Sequence, residues 1–240
     1  MSFLGVNALS LDAKYDEFYE ADSTRDPLRD IELPAWPKDR VQALMALNLR
    51  GKTLLDVGCG DGRVLFQFRQ RFDTLIGVEF SAARLKVAER NLMGLNFRPV
   101  CSSAEAMVSV PTGSVDCIVS ADVIEHIPDV YAATDELFRV LRPGGVLAIN
   151  TPNIAFIVKR WRLLAGRFPS TSQPNEGLGS DVLFDGGHLH YFTYRSLALL
   201  LERSGFVVDR RIGFGAWGRI HNFMPSLLSV GVQLVAHRPV

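Results

Sequence analysis

Leu54-Leu55-Asp56-Val57-Gly58-Cys59-Gly60-Asp61-Gly62-Arg63-Val64-Leu65 decides how the chain folds. A short apolar run ends in an aspartate, crosses three glycines at alternate positions and resumes as an amphipathic stretch, the pattern of strand, tight turn and helix. Glycines there let the backbone turn sharply out of the strand and approach a ligand where a side chain would clash. In the fingerprint for dinucleotides the third glycine falls three positions after the second; here that position is Arg63 and the spacing is GxGxG. An NAD-dependent reductase is therefore disfavoured. Asp56 sits at the carboxyl end of the strand, where a carboxylate organises the loop and holds an ammonium group, directly or through water. Glu79 ends the next apolar run, placed to accept hydrogen bonds from both hydroxyls of an unphosphorylated ribose. The two acids together imply a ligand with a ribose, a positive charge and no phosphate.

Outward from this turn, short continuous apolar runs alternate with amphipathic stretches, which predicts a mostly parallel sheet with helices on both faces. Strands are predicted at 52–57, 74–79, 97–101, 115–120, 145–150 and 206–211, with a last strand at 230–237 paired antiparallel at the edge. Helices are predicted at 39–49, 63–69, 82–93, 130–141 and 194–204, the last begun by a Thr193 cap and ended by Gly205. All 240 residues form one domain in this reading. Residues 1–38 make an arm, and residues 153–190 break the alternation as a lid over the ligand side.

Composition narrows the partners. The 26 basic and 26 acidic residues cancel, which removes the uniform positive field of a dedicated nucleic-acid binder, so no nucleic acid is expected. With 48% hydrophobic residues the chain can bury a sizeable core. Cys59, Cys101 and Cys117 are odd in number and far apart, which argues against a disulfide framework or zinc knuckle and for a reducing cytoplasm. The first twenty residues lack a basic segment before their apolar ones, unlike a cleaved signal peptide, and no apolar run is long enough to span a bilayer.

Four stretches, LLDVGCGDG (54–62), IGVEFS (76–81), SVDCIVSADVIEHIPD (114–129) and LRPGGVLAINTPN (141–153), come in order. From about Leu54 to Phe206 the chain thereby resembles the class I S-adenosylmethionine-dependent methyltransferases of the small-molecule type. The resemblance implies a Rossmann-like, seven-stranded α/β fold with S-adenosyl-L-methionine as cofactor. Asp56, Gly58, Cys59 and Gly60 would line its methionine end, Glu79 would take the ribose hydroxyls, Phe80 would border the adenine, and Ser103, Ala104 and Ala121 would complete the set. The family commonly carries an acid for the adenine amino group where this chain reads Ser102-Ser103-Ala104-Glu105.

Asp122, Glu125 and His126 follow the fourth strand and would share one face of a helical turn, arranged to orient a general base or hold a divalent metal. The stretch is similar to that of ubiquinone-type O-methyltransferases, in which an acid, an acid and a histidine bind metal. The alternative, a structural Glu125–His126 pair without metal, is favoured. His188 and His190 alternate on an extended segment and should point the same way, toward an acceptor or into the closure of the lid. In the lid, Ile154, Ile157, Val158, Trp161, Leu164, Ala165 and Phe168 fall on one helical face. Lys159, Arg160, Arg162 and Arg167 add charge with no acid among them. This predicts a covering helix with a solvated basic side, or a surface for an anionic membrane, a lipid-like acceptor or a partner. In the arm, Tyr15, Phe18 and Tyr19 would fold over the cofactor or pack on the core.

The lid also resembles the W-type proteins of methionine biosynthesis, which implies support of an acyltransferase partner as the alternative function. The leading expectation is a methyltransferase acting on a small or lipid-like acceptor, at oxygen, with His126, His188 or His190 assisting deprotonation.

Overall fold

A computed structural model describes residues 11–20, 28–172, 176–178 and 183–240. Strands β1 (Thr53–Val57), β2 (Thr74–Glu79), β3 (Phe97–Cys101), β4 (Val115–Ala121), β5 (Leu141–Pro152), β6 (Val207–Ile212) and β7 (Gly231–His237) form one sheet. Their order is β3-β2-β1-β4-β5-β7-β6. The first five pair in parallel, and β7 runs antiparallel to both β5 and β6. The expected architecture is therefore present with one correction: β7 lies inside the sheet, and β6 is the edge. Burial agrees, because β7 is buried at six consecutive positions whereas β6 is largely exposed. A run buried on both faces marks an interior strand.

Eight helices surround the sheet among the described residues: α1 (Leu11–Glu20), α2 (Arg40–Met45), α3 (Arg63–Phe68), α4 (Ala82–Asn91), α5 (Val130–Val140), α6 (Ile157–Leu164), α7 (Tyr194–Arg203) and α8 (Pro225–Leu228). Because strand side chains alternate, neighbouring residues feed opposite cores. Leu54, Leu75, Cys117 and Val119 join Leu44 of α2, Leu65 and Phe68 of α3 and Leu85 of α4. Leu55, Ile76, Ile118 and Leu147 join Leu137 of α5 and Leu197 and Leu201 of α7 on the other face.

The helix starts follow local chemistry. Asp129 accepts from the amides of Tyr131 and Ala132, Ser81 from Arg84, and Thr193 with Ser196 forms a reciprocal capping box, as expected of Thr193. α2 stops at Met45, short of the predicted Leu49, because the Arg71 guanidinium takes the carbonyls of Met45 and Leu47. β5 begins at Leu141, ahead of the predicted 145, since Leu141 already pairs with Val115 and an irregularity between Val115 and Cys117 absorbs the intervening residues.

Asp116 ties the amino ends of the central strands together. Its Oδ2 accepts from the amides of Lys52 (2.9 Å) and Thr53 (2.8 Å), and its Oδ1 accepts from Arg142 Nε at 2.6 Å. These bonds hold its carboxyl below the usual carboxylate range against the opposing effect of burial. Asp116→Asn should lower unfolding free energy by about 1–2 kcal/mol in urea denaturation. A carboxyl whose folded pKa is depressed stabilises the fold above its unfolded value and loses that contribution as pH falls through the folded value. The gap between wild type and variant should therefore close on acidification below about pH 4; a constant gap would refute the clamp.

Candidate functional site

At the carboxyl end of β1 the chain turns through Gly58, Gly60 and Gly62, all with positive φ (73°, 54° and 81°). The amides of Gly58 and Cys59 both donate to Val78 O, at 2.8 and 3.0 Å, which presses the turn onto β2. A Cβ on Gly58 would sit 2.3 Å from Val123 Cγ2, so the turn is packed against the loop after β4 with no room for a side chain. Of the expected cofactor residues, Gly58, Glu79, Phe80, Ser103 and Ala104 line one cavity at this edge of the sheet. Gly60 donates its amide to Glu79 Oε2 at 2.9 Å. Cys59 does not line the cavity: its thiol lies beside Gly77 in the core, where burial pushes it well up. Ala121 packs into the core beside α2 to α4, and the cavity wall is made by its neighbours Asp122 and Val123.

Asp56 lies behind the turn, 1% exposed, and its Oδ2 has no hydrogen-bond partner. Burial, then the charges of Glu79 and Asp61, push its pKa well above the ordinary value, while Arg84 opposes them. Glu79 accepts from Gly60 N through one oxygen and Ser81 N through the other, leaving a further lone pair on each. An orphaned buried carboxylate oxygen suits an ammonium, a carboxylate with spare lone pairs suits a diol, and a turn that excludes a Cβ suits close backbone approach. The residues thus fit S-adenosylmethionine on the evidence of their own geometry.

The far wall of this cavity was partly hidden in the sequence. Ser103 donates to Glu105 Oε2 at 2.7 Å, so Glu105 supplies a carboxylate where Ser103 alone was expected. Glu105 also accepts from the amide of Asp129 through Oε1 at 2.6 Å. Arg84 enters from α4. Tyr15 of α1 closes the cavity, its ring edge-on to Phe80 and to His126 at 6.4 and 6.0 Å and its hydroxyl donating to Gly187 O at 3.3 Å. The side chains of Phe18 and Tyr19, expected beside it, lie outside the described residues.

The second cluster differs from the expected helical face. Asp122 has a left-handed backbone (φ 51°), and residues Ile124–His126 form a single 3-10 turn. Asp122 is thereby turned toward Arg40 Nη1, 2.6 Å away, and the groups that converge are Glu125, His126 and His188, with ligand-capable atoms within 4.8 Å of one another. Two imidazoles and a carboxylate could hold a divalent ion. The chain already partners each member: Thr151 donates to Glu125 Oε2, Gly187 O lies 3.1 Å from His126 Nδ1, and Thr171 Oγ1 lies 2.6 Å from His188 Nδ1. Burial, then Asp122, raises Glu125 well above the carboxylate range, and burial lowers His126 to about 4. The His126 and His188 rings stand edge-on, 4.7 Å apart. His190, expected on the same side, instead places its Nε2 3.3 Å from Pro128 O and stays outside the pair.

Asp185 anchors the lid. Fully buried, with φ 45°, it accepts from the hydroxyls of Ser170, Ser172 and Tyr191, and these bonds lower its pKa despite burial. α6 does not cover the core as its periodicity predicted: none of its residues is buried.

A family model described as a methyltransferase domain matches residues 30–210. The ubiquinone biosynthesis O-methyltransferase of Pseudomonas fluorescens (strain Pf0-1) is 31% identical over 140 residues, covering 57% of this chain and 58% of that protein. The chain thus spans less than two thirds of the curated relatives it matches first. Among solved structures, a S-adenosylmethionine-dependent methyltransferase of Methanosarcina mazei aligns with a TM-score of 0.61 at 23% identity over 82% of this chain and 97% of that one. The [4+2]-cyclase SpnF aligns at 0.63 and 17% identity over 95% and 94%. At such identities the structures speak for the fold alone, and one of them carries out another reaction. With the family model spanning most of the chain and the glycine turn and its acids in place, the protein belongs to the class I S-adenosylmethionine-dependent methyltransferases.

Proposed function

We propose that the chain transfers the methyl group of S-adenosylmethionine to an oxygen of a small or lipid-like acceptor, with His126 and His188 receiving the acceptor's proton. The observation that carries this reading is the position of Asp122. It stands in the wall of the cavity formed by Gly58, Glu79 and Phe80 and also in that of a second cleft, of about 480 Å³, which reaches Arg40, Thr171 and Phe214. Two cavities that share one wall residue suit a donor in one and an acceptor in the other, with His126 in the wall of the first and Thr171, the partner of His188, in the wall of the second. The mixed polar and apolar wall of the second suits a hydroxylated ring or chain.

When bound, the cofactor supplies a methyl group on a positively charged sulfur, which an oxygen lone pair can displace in line. The chain holds the two reactants in register and keeps the proton acceptor ready. A carbonyl can only accept, so His126 Nδ1 carries a hydrogen toward Gly187 O and leaves Nε2 with its lone pair. At His188, Thr171 Oγ1 also reaches Asp185 Oδ2 at 3.3 Å; donating there, it receives the His188 Nδ1 hydrogen and leaves that Nε2 free as well. Burial is the largest influence on both imidazoles and lowers both, which keeps them neutral near pH 7. Tyr15 and Gly187 of the lid pack against the His126 ring at this corner.

Calorimetry with S-adenosylhomocysteine should show binding that Asp56→Ala weakens by about ten- to a hundredfold, the loss of one charge-assisted hydrogen bond. Gly58→Ala should abolish it, since the substitution meets both a left-handed backbone and Val123. Tight binding of NAD instead would overturn the assignment.

On a panel of phenols and quinol precursors, His126→Ala and His188→Ala should each lower kcat by about 10²- to 10⁴-fold while S-adenosylhomocysteine affinity is kept. Turnover unchanged in both would remove the proton-acceptor role.

The His126 ring resonances should titrate with a midpoint of about 4 rather than 6.5 in NMR. Here the folded pKa is depressed, so the unfolded chain takes up the proton first. The neutral imidazole's contribution is whole above 6.5 and is lost as pH falls toward about 4. A midpoint near 6.5 would show the ring to be solvated.

A further inference from the structure

α6 presents a bare apolar surface whose direction is fixed by Lys159. That ammonium turns inward and donates to Ser170 O. At about 100° per residue, Trp161 and Leu164 then lie roughly 200° and 140° around the helix and point away from the body of the protein. They are 64% and 78% exposed.

A second segment docks beside the start of α6. The Phe156 and Trp217 rings lie 5.9 Å apart, and Asn153 Nδ2 donates to Ser226 O and Ser229 O at 3.2 and 2.9 Å. This segment, a 3-10 turn Gly218–Asn222 followed by α8, exposes Ile220, Phe223 and Met224, with Phe223 83% exposed. Large apolar side chains left exposed on both elements mark a surface suited to contact.

The charge selects the occupant. From Asn153 to Phe168 there are four basic residues and no acid. Arg167 is paired with Glu176, whose charge Arg162 also feels, while Arg160, bonded through Nε to Ala155 O, and Arg219 make no ion pair with a carboxylate among the described residues. A second copy packed by a two-fold axis would set these arginines against their own images. A bilayer with anionic headgroups meets both demands at once: tryptophan at the headgroup level, aliphatic side chains toward the acyl boundary and guanidinium groups on phosphate. No helix of the described residues is long and apolar enough to cross a membrane. We infer that α6 and the Gly218–Leu228 segment form a face that binds reversibly to anionic lipid bilayers. This inference stands apart from the methyl acceptor's identity.

Flotation of the full chain with vesicles tests it. The protein should float with vesicles containing about 30% phosphatidylglycerol in phosphatidylcholine, stay behind with pure phosphatidylcholine, and be released at about 0.5 M salt. Arg160→Gln and Arg162→Gln should each weaken binding about fivefold. Trp161→Ala and Leu164→Ala should each weaken it at least about tenfold. S-adenosylhomocysteine affinity, unchanged in all four variants, reports that they remain folded. Absence of binding to the anionic vesicles overturns the inference, as does binding indifferent to these substitutions. Light scattering that shows a dimer dissociated by Trp161→Ala would assign the face to a second copy instead, and overturn it too.

Discussion

The contact between Gly58 and Val123 is the constraint on which the site rests. With 2.3 Å between the place a Cβ would take and Val123 Cγ2, the loop after β1 and the loop after β4 are joined with nothing between them. The amides of Gly58 and Cys59 are spent on Val78, so the β1 loop cannot retreat from β2. The β4 loop yields instead, and Asp122 takes a left-handed backbone that costs an ordinary residue on the order of 1 kcal/mol. That turn sends its carboxylate toward Arg40 and places one residue in the walls of two cavities. The strain is local, and its product is a residue common to both walls.

The same edge gathers acids. Asp56, Glu79 and Glu125 are each nearly sealed from solvent, yet Asp56 Oδ2 and Glu125 Oε1 have no hydrogen-bond partner. Buried, incompletely paired carboxylates are costly in a domain that needs only to fold. A ligand that carries positive charge relieves that cost, whereas one that carries phosphates would add to it. The electrostatics of the folded chain therefore favour a sulfonium and ammonium donor over a dinucleotide, independently of glycine spacing.

Much of this was legible in the sequence because it is local. Strand runs such as Leu54–Val57, the glycine turn and the Thr193 cap follow from period and turn chemistry over a few residues. Glu79 and Phe80 were legible because they end a strand whose neighbour carries the turn. Arg84, Glu105 and Arg40 were not, since long side chains reach the site from elements whose own pattern speaks only of helix or loop. His188, rather than Asp122, completes the converging set with Glu125 and His126, because a left-handed residue breaks the helical spacing on which the expectation rested and turns Asp122 to Arg40. The amphipathicity of α6 identified a face in need of cover without identifying what covers it. The interior place of β7 had a sign in Val232–Ala236, buried on both sides. Gln233, fully buried, donates to Ala43 O across that strand. Sheet order, however, is settled by pairing over long sequence distances.

The threading of β7 between β5 and β6 bears on how the sheet assembles. β6 precedes β7 in the chain yet touches the sheet only through it, so β6 joins the sheet with β7 or after it. Until then β5 offers an open row of amides and carbonyls. Completing this half requires the pairing of β5 with β7, a non-local closure of the kind that slows folding. An unfilled β5 edge is a place where another chain could pair in β7's stead.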